Sequence, residues 1–365
     1  MTTRTLKILA APYLELSEAN PYQLLLYQSM KEGNVQVSAF SARKLLQGRW
    51  DVWHLHWPET IVNPKYSRDI IPLLMKFWIK LKVARFKRTK IFWTVHNLRS
   101  HEHTHPLLER FFWRIFLPNV DGVICLSELG KQQLRIQYPR ARSIPTFVIP
   151  HGHYRGAYPD VINEDEARRA LGIRSDKFVI TFFGQLRQYI GVVPLIRCFA
   201  RAQVANVQLL IAGEPINNVI MREIKEAAVL DRNVRLIPEF VDRNDMQKLL
   251  RASNLVVLPY KTVLNSGSAI LALSFDRPVL APALGALVEL GQAVGQDWLR
   301  LYEGELSPDI LCGAIDWVKA RQIGADARVP LEQMNWDGIA ESTMRAFHFV
   351  RGQPIKGDDL RPGRL

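Results

Sequence analysis

Two short segments in the second half of the chain carry the residue types needed to grip a diphosphate. The first, Phe183-Gly184-Gln185-Leu186-Arg187-Gln188-Tyr189-Ile190-Gly191, follows an apolar strand and leads into a helix. Its glycines let backbone N–H groups approach an oxyanion, and Arg187 adds a permanent charge with two donors. In the second, the apolar run 255–259 stops at Pro259, passes Tyr260 and Lys261, and reaches the small-residue turn Asn265-Ser266-Gly267-Ser268 ahead of an apolar helix. The first backbone N–H groups of such a helix need an acceptor, and phosphate is the natural one. Gly213-Glu214-Pro215 follows a further strand. Either turn alone is what many strand-to-helix connections look like. Together, on one sheet edge, they imply a diphosphate-linked ligand.

The first half concentrates histidines. Eight of the nine lie between His54 and His153, nearly all just past a predicted strand: His54 and His56 in HLHWPE, His96 in TVHN, His101, His103 and His105 in SHEHTHP, and His151 and His153 in PHGHYR. Loops at strand ends carry working residues. His56, His96, His151 and His153 therefore read as site residues, and His54, His105 and His348 as structural ones. The alternation of His101, His103 and His105 has the form of a transition-metal site but lacks carboxylate partners, so no metal is expected. Glu59 and Glu102 stand in the same loops.

To bring these segments to one edge, the chain must alternate strands with helices. Apolar runs predict strands over 6–11, 35–40, 52–56, 90–95, 122–126 and 147–149, separated by helices over 21–31, 68–86, 106–116 and 129–138. The second half predicts strands over 178–183, 208–212, 234–237, 255–259, 278–281 and 299–302. Its helices are predicted over 193–201, 219–230, 243–251, 268–275, 308–323 and 337–351. Parallel strands with right-handed crossovers then give an α/β architecture of two doubly wound, Rossmann-like domains. The seam is expected in the polar stretch 158–177, which contains Asn163-Glu164-Asp165-Glu166. The expected domains are 1–157 and 158–335, followed by a helix over 336–351 and a mobile tail over 352–365 rich in Gly, Pro and charge.

A length of 365 residues, 48% hydrophobic and 23% charged, suits two soluble domains. No run reaches the roughly 18 apolar residues of a membrane span, and the start lacks a signal-peptide core, so a cytoplasmic protein is expected. Cys125, Cys198 and Cys312 have neither disulfide nor metal spacing. Net charge is +13, and its placement is informative. Between Lys65 and Arg99, ten bases, among them Lys76, Lys80, Lys82, Arg85, Lys87, Arg88 and Lys90, face Asp69 alone and interleave with Phe77, Trp78, Ile79, Leu81, Val83 and Phe86. A basic helix with apolar residues on its other side is the pattern of attachment to an anionic membrane surface. No nucleic-acid motif accompanies the charge, so no nucleic-acid partner is expected.

In order, strand-GQLRxYxG-helix, strand-AGEP, strand-PEFV-helix, strand-LPY, NSG-helix and RPVLAP resemble the donor domain of GT-B glycosyltransferases that use nucleotide sugars. DVWHLHWPE, FWTVHNLRSHE and IPHGHYR resemble, more specifically, bacterial β-mannosyltransferases that extend a lipid-diphosphate oligosaccharide in xanthan-type exopolysaccharide assembly. The likeness runs over roughly 6–302. It implies a GT-B fold with a central cleft, an acceptor-binding first domain, a donor-binding second domain and a last helix that returns to the first. It also implies GDP-mannose as donor, an inverting transfer and a polyprenyl-diphosphate glycolipid acceptor at the inner face of the membrane, with no cofactor beyond the sugar nucleotide.

On this likeness the donor would contact Gly184, Gln185, Arg187, Tyr189, Gly213, Tyr260, Lys261, Asn265, Ser266, Gly267 and Ser268, with the base against Glu239, Phe240 and Val241. The acceptor or sugar would meet His56, Asn97, His151, His153 and Tyr154. The catalytic base would be Glu102, Glu59 or His96, a carboxylate being favoured because burial tunes it upward. Retaining GT-B enzymes carry a lysine where this chain has Ile190 and glutamates where it has Val263 and Leu271, a departure that fits inversion. Two other classes share the composition: a nucleotide-sugar epimerase of similar architecture, and a non-catalytic basic α/β protein that binds membrane or nucleic acid.

Overall fold

The computed structural model of the chain describes residues 5–13, 15, 18, 20–31, 34–62, 69–99, 105–321 and 327–352. The chain divides into two compact units, 1–152 with 334–365, and 153–333. The first contains six parallel strands, β1 (Leu6–Ala11), β2 (Val35–Ala39), β3 (Val52–His56), β4 (Lys90–Val95), β5 (Gly122–Cys125) and β6 (Thr146–Val148), in the order β2-β1-β3-β4-β5-β6. Strand order reverses between β1 and β3, and such a switch point opens a crevice at the carboxyl ends of the strands.

Both faces of this sheet are covered, as parallel sheets require. On one face, Tyr22, Leu26, Tyr27 and Met30 of α1 (Tyr22–Met30) join Trp336, Ile339 and Phe347 of the last helix, α13 (Trp336–Val350), over Ile8, Val52, Phe92 and Phe147. On the other face, α3 (Ile70–Phe86) buries Ile70, Leu74, Phe77, Leu81 and Ala84 at alternating four- and three-residue steps. Phe77 meets Trp53 of β3 and also Phe112 and Phe116 of α4 (Pro106–Phe116). A short helix, α2 (Ala42–Gln47), is capped by the Ser41 hydroxyl, and α5 (Glu128–Gln137) by that of Ser127.

The second unit repeats the scheme with β7 (Phe178–Phe183), β8 (Val207–Ala212), β9 (Val234–Ile237), β10 (Leu255–Val257), β11 (Val279–Pro282) and β12 (Leu299–Tyr302), again all parallel. Their order, β12-β11-β10-β7-β8-β9, places the switch point between β7 and β10. Its helices are α6 (Glu164–Ala170), α7 (Val192–Ala202), α8 (Asn218–Ala228), α9 (Arg243–Ala252), α10 (Gly267–Ser274), α11 (Ala286–Val294) and α12 (Pro308–Ala320). The polar stretch around Asn163 is not a bare linker. Asn163 accepts from the Glu166 amide and Glu166 from the Asn163 amide, a capping box that starts α6.

The basic helix also differs from expectation. Phe77 and Leu81 are core, while Met75, Trp78, Ile79 and Phe86 are exposed on the outside together with Lys76 and Lys82. Among the described residues no helix is long and apolar enough to cross a membrane. Lys65 and Arg68 of the basic run, and the tail beyond Gly352, lie outside the described residues.

Because Phe347 is fully buried against Phe92 and His54, Phe347→Ala should destabilise the first unit by about 3–5 kcal/mol. Urea unfolding followed by tryptophan fluorescence would measure it. A loss below about 1 kcal/mol would mean that α13 is only loosely attached.

Candidate functional site

At the second unit's switch point the turns are locked by close backbone approaches. Gly213 has φ +143°, and a Cβ there would stand 1.8 Å from the carbonyl oxygen of Gly184. One on Gly191 would stand 2.2 Å from the carbonyl oxygen of Pro259. The Leu186 amide donates to Glu214 O (2.9 Å), the Ile216 amide to Leu186 O (3.1 Å) and the Lys261 amide to Tyr189 O (3.2 Å). The turns after β7, β8 and β10 thus form one body. A Cβ on Gly184 would lie 3.5 Å from Ser268 Oγ, so the glycine turn meets the first residues of α10.

The start of α10 is held from below. Ser266 Oγ accepts from the Ala269 amide (3.1 Å) and pairs with the Tyr260 hydroxyl (3.0 Å). Burial raises the Tyr260 pKa, so the phenol stays protonated and can donate. This leaves the amides of Gly267 and Ser268 for an outside acceptor, at the positive end of the helix. Gln185 Oε1 accepts from Arg187 Nε (2.8 Å), which orients the half-buried guanidinium. Tyr154 is buried, donates its amide to Ser274 Oγ (2.9 Å) and has its hydroxyl 3.4 Å from where a Gly267 Cβ would be. His153 is half-buried, with its pKa lowered by desolvation. Glu239 and Phe240 follow β9 on the surface, Phe240 being 54% exposed and so available for stacking, with Val241 partly covered. Lys261 is exposed and Asn265 partly buried.

The first unit gathers its histidines into a hydrogen-bonded line. Alternate strand residues share a face, so His54 and His56 of β3 point the same way, as do Thr94 of β4 and His96 just beyond it. Thr94 Oγ1 pairs with His54 Nε2 (2.7 Å), His54 Nδ1 with the Tyr27 hydroxyl (2.8 Å), that hydroxyl with His56 Nε2 (3.0 Å), and His56 Nδ1 with His96 Nε2 (2.9 Å). Each neutral imidazole has one N–H, so the line has two self-consistent settings, running from Thr94 to His96 or the reverse. The tautomer of His96 is thereby tied to that of His54. Burial keeps the line neutral: the pKa of His54 falls to about 3 and that of His151 to about 4, and those of His56 and His96 are well below the ordinary value. Tyr22 touches the rings of His56, His96 and His151 edge-on, and Trp57 stacks on His96 at 4.2 Å. His151 Nδ1 donates to Gly152 O (2.7 Å).

Glu59 lies in a single 3-10 turn, Pro58–Val62, directly after β3 and His56. Asn97, one residue past His96, donates to Glu59 Oε1 at 3.4 Å. Burial pushes the Glu59 carboxyl up to about 8, and Oε2 is buried with no hydrogen-bond partner among the described residues. Glu102 lies outside the described residues, as do His101 and His103. Among the described residues no three metal-binding side chains form a ligand group. Thus His56, His96, Asn97, Glu59 and His151 come together in the first unit, and Gly184, Gly213, Tyr154, Tyr260, Ser266, Gly267 and Ser268 in the second. Tyr22, Tyr27, Trp57 and His54 were not singled out as site residues. The two-residue spacing of HLH, which forces His54 and His56 onto one strand face, is the signal that would have included His54.

The family model described as glycosyl transferases group 1 matches residues 163–285. Over 332 residues the chain is 30% identical to a GDP-mannose:glycolipid 4-beta-D-mannosyltransferase of Xanthomonas campestris pv. campestris, covering 91% of this chain and 88% of that one. Among solved structures it resembles sucrose-phosphate synthase from Thermosynechococcus elongatus, with a TM-score of 0.68, 17% identity, and 96% and 100% of the two chains covered. It also resembles Anabaena Alr3699/HepE in complex with UDP and glucose, with a TM-score of 0.61, 16% identity, and 96% and 99% covered. At such identities the structural likenesses establish the fold.

Tyr27→Phe removes one hydroxyl that serves two buried imidazole nitrogens. It should cost about 1–3 kcal/mol for each nitrogen left unsatisfied. Denaturant unfolding would show the loss. Unchanged stability would mean that the line is not a connected unit.

Proposed function

This chain belongs to the GT-B glycosyltransferases, and from that premise we propose that it is an inverting mannosyltransferase. In this reading it moves mannose from GDP-mannose to a polyprenyl-diphosphate-linked oligosaccharide during exopolysaccharide assembly. The observation that carries the proposal is the 30% identity, sustained over 91% of the chain, to a GDP-mannose:glycolipid mannosyltransferase. The locked turns of the second unit support it, because they offer a diphosphate two helix amides and a guanidinium.

In the proposed reaction the acceptor hydroxyl attacks the anomeric carbon as the bond to the nucleotide's terminal phosphate breaks. Arg187 and the amides of Gly267 and Ser268 take up the charge that develops on the leaving diphosphate, so the reading assigns no divalent ion to it. Glu59 receives the hydroxyl proton. Its buried, unpartnered oxygen suits an incoming hydroxyl, and a base with a pKa of about 8 is well matched to neutral conditions. His96, neutral and fixed by His56, orients the sugar. The exposed apolar and basic residues of α3 hold the protein peripherally on the inner, anionic face of the cell membrane.

A thermal-shift panel of GDP, UDP, ADP and their sugars tests the donor. GDP should stabilise the protein by about 2.7 kcal/mol at a hundredfold excess over its Kd, and Gly213→Ala should abolish the response, since its Cβ would strike Gly184 O. Radiolabelled mannose should then appear in the lipid fraction. Label confined to soluble nucleotide sugar would favour the epimerase reading instead.

Glu59→Gln should lower kcat by about 10²–10⁴-fold with donor binding intact. Because the carboxylate form predominates only above a pKa of about 8, kcat/KM of the parent should rise through that pH, and the variant should lose the rise. The folded state also holds this proton more tightly than the unfolded chain. Stability should therefore fall as pH climbs from 4.5 toward 8, a slope that the variant removes.

A further inference from the structure

Apart from the two sites above, the first unit carries a hollow of about 720 Å³ along α4 and the end of α5. Arg99, Arg110, Arg114 and Arg140 line it, with Glu109 as the one acid among the described lining residues. None of the four guanidinium groups takes part in an ion pair among the described residues. Four cations held around one hollow repel each other, and a multiply charged anion bridging them would relieve that. Guanidinium is also the group that meets phosphate oxygens in pairs.

A second observation concerns the wall: Trp113 is 3% exposed, and its indole N–H is buried with no acceptor among the described residues, at a cost of about 1–3 kcal/mol. The wall is firm: Trp113 packs on Trp93 and Tyr138, and the Tyr138 hydroxyl and Gln137 Nε2 both donate to Leu98 O, at 2.6 and 3.2 Å.

The surroundings say what bears the anion. Arg110 and Arg114 form one i, i+4 stripe of α4. The neighbouring stripe, Leu107 and Phe111, is 80% and 52% exposed. Helix α3, whose Phe77 packs on Phe112 and Phe116, exposes Met75, Trp78 and Ile79. A free phosphate needs no apolar border, whereas a phosphate carried by a lipid does. We propose that this hollow receives the phosphate or diphosphate headgroup of a lipid. Identifying that lipid with the acceptor rests on the transfer proposed above; the binding itself does not.

The test uses the full chain with its donor site saturated by a nucleoside diphosphate. Inorganic pyrophosphate is titrated calorimetrically, and vesicles of phosphatidylcholine with phosphatidic acid or with phosphatidylglycerol are sedimented with the protein. Arg110→Gln/Arg114→Gln should weaken pyrophosphate by at least about tenfold and abolish a preference for phosphatidic acid, while nucleotide binding is unchanged. Arg140→Gln, on a different element, should do the same more weakly and guards against misfolding of α4. Unaltered pyrophosphate affinity, or an equal fall in the control Arg43→Gln/Arg49→Gln, would overturn the site. Lost pyrophosphate binding with vesicle preference intact would overturn the lipid assignment. A failed transferase reading would instead show as absent mannose transfer with this binding preserved.

Discussion

The second unit depends on a place where backbone replaces side chain. Gly213 and Gly191 press against the carbonyls of Gly184 and Pro259 so closely that no Cβ fits at either position. That contact holds the turns after β7, β8 and β10 as one piece, and β7 and β10 are the strands that flank the switch point. Because folding has already fixed these turns, an anion arriving at the first amides of α10 need not order them. The ordering cost that normally erodes binding has been met beforehand. Ser266 contributes to the same end, capping α10 with one oxygen while Tyr260 holds that oxygen in place.

The first unit solves a different problem with the same topology. Its switch point lies between β1 and β3, and the residues that reach the carboxyl edge there are imidazoles and phenols. Desolvation removes the charge from His54, His56, His96 and His151, and hydrogen bonds then couple the proton positions of His54, His56 and His96 into two allowed settings. The two consequences are linked. A charged imidazolium donates at both nitrogens, so two neighbouring charged rings, His56 and His96, would set N–H against N–H across their shared link. Neutrality therefore keeps the five groups from Thr94 to His96 in one of their two directional settings.

Much of this was legible in the sequence. The continuous apolar run Phe178–Phe183 gave its strand with the observed limits, because a strand covered on both faces has no polar alternation to blur it. Strand-helix alternation indicated two doubly wound units, and family likeness identified them as GT-B. Three helices were not predicted. Two are short, α2 and α6, and the polar surface of α6 resembled a linker although Asn163 and Glu166 already spelled a capping box. The third, α11, begins at Gly285, whose positive φ and close approach to Val263 O are tertiary facts. The histidine line was only half legible. Strand period alone puts His54 beside His56, but Tyr27 reaches them from α1, and no local pattern announces a partner 27 residues away.

The departures from the retaining GT-B pattern can now be weighed physically. Leu271 is 5% exposed in a helix whose residues Ala269–Ser274 are all buried, so a glutamate at that position would bring an uncompensated charge into the core. Val263 gives its carbonyl to the tight passage at Gly285, and Ile190 stands in the one-turn helix between Arg187 and Gly191. Leu271 is therefore built into the packing, whereas Val263 and Ile190 are partly exposed and contribute backbone to their turns. An anion site that lacks that lysine and those glutamates has fewer long side chains to order and less to lose to screening by salt. What remains is fixed dipole, a single guanidinium held by Gln185, and turns that cannot open without separating Gly213 from Gly184. Taken as the proposed donor site, this arrangement would draw affinity from rigidity more than from charge count, because the glycine contacts hold the amides in place before an anion arrives.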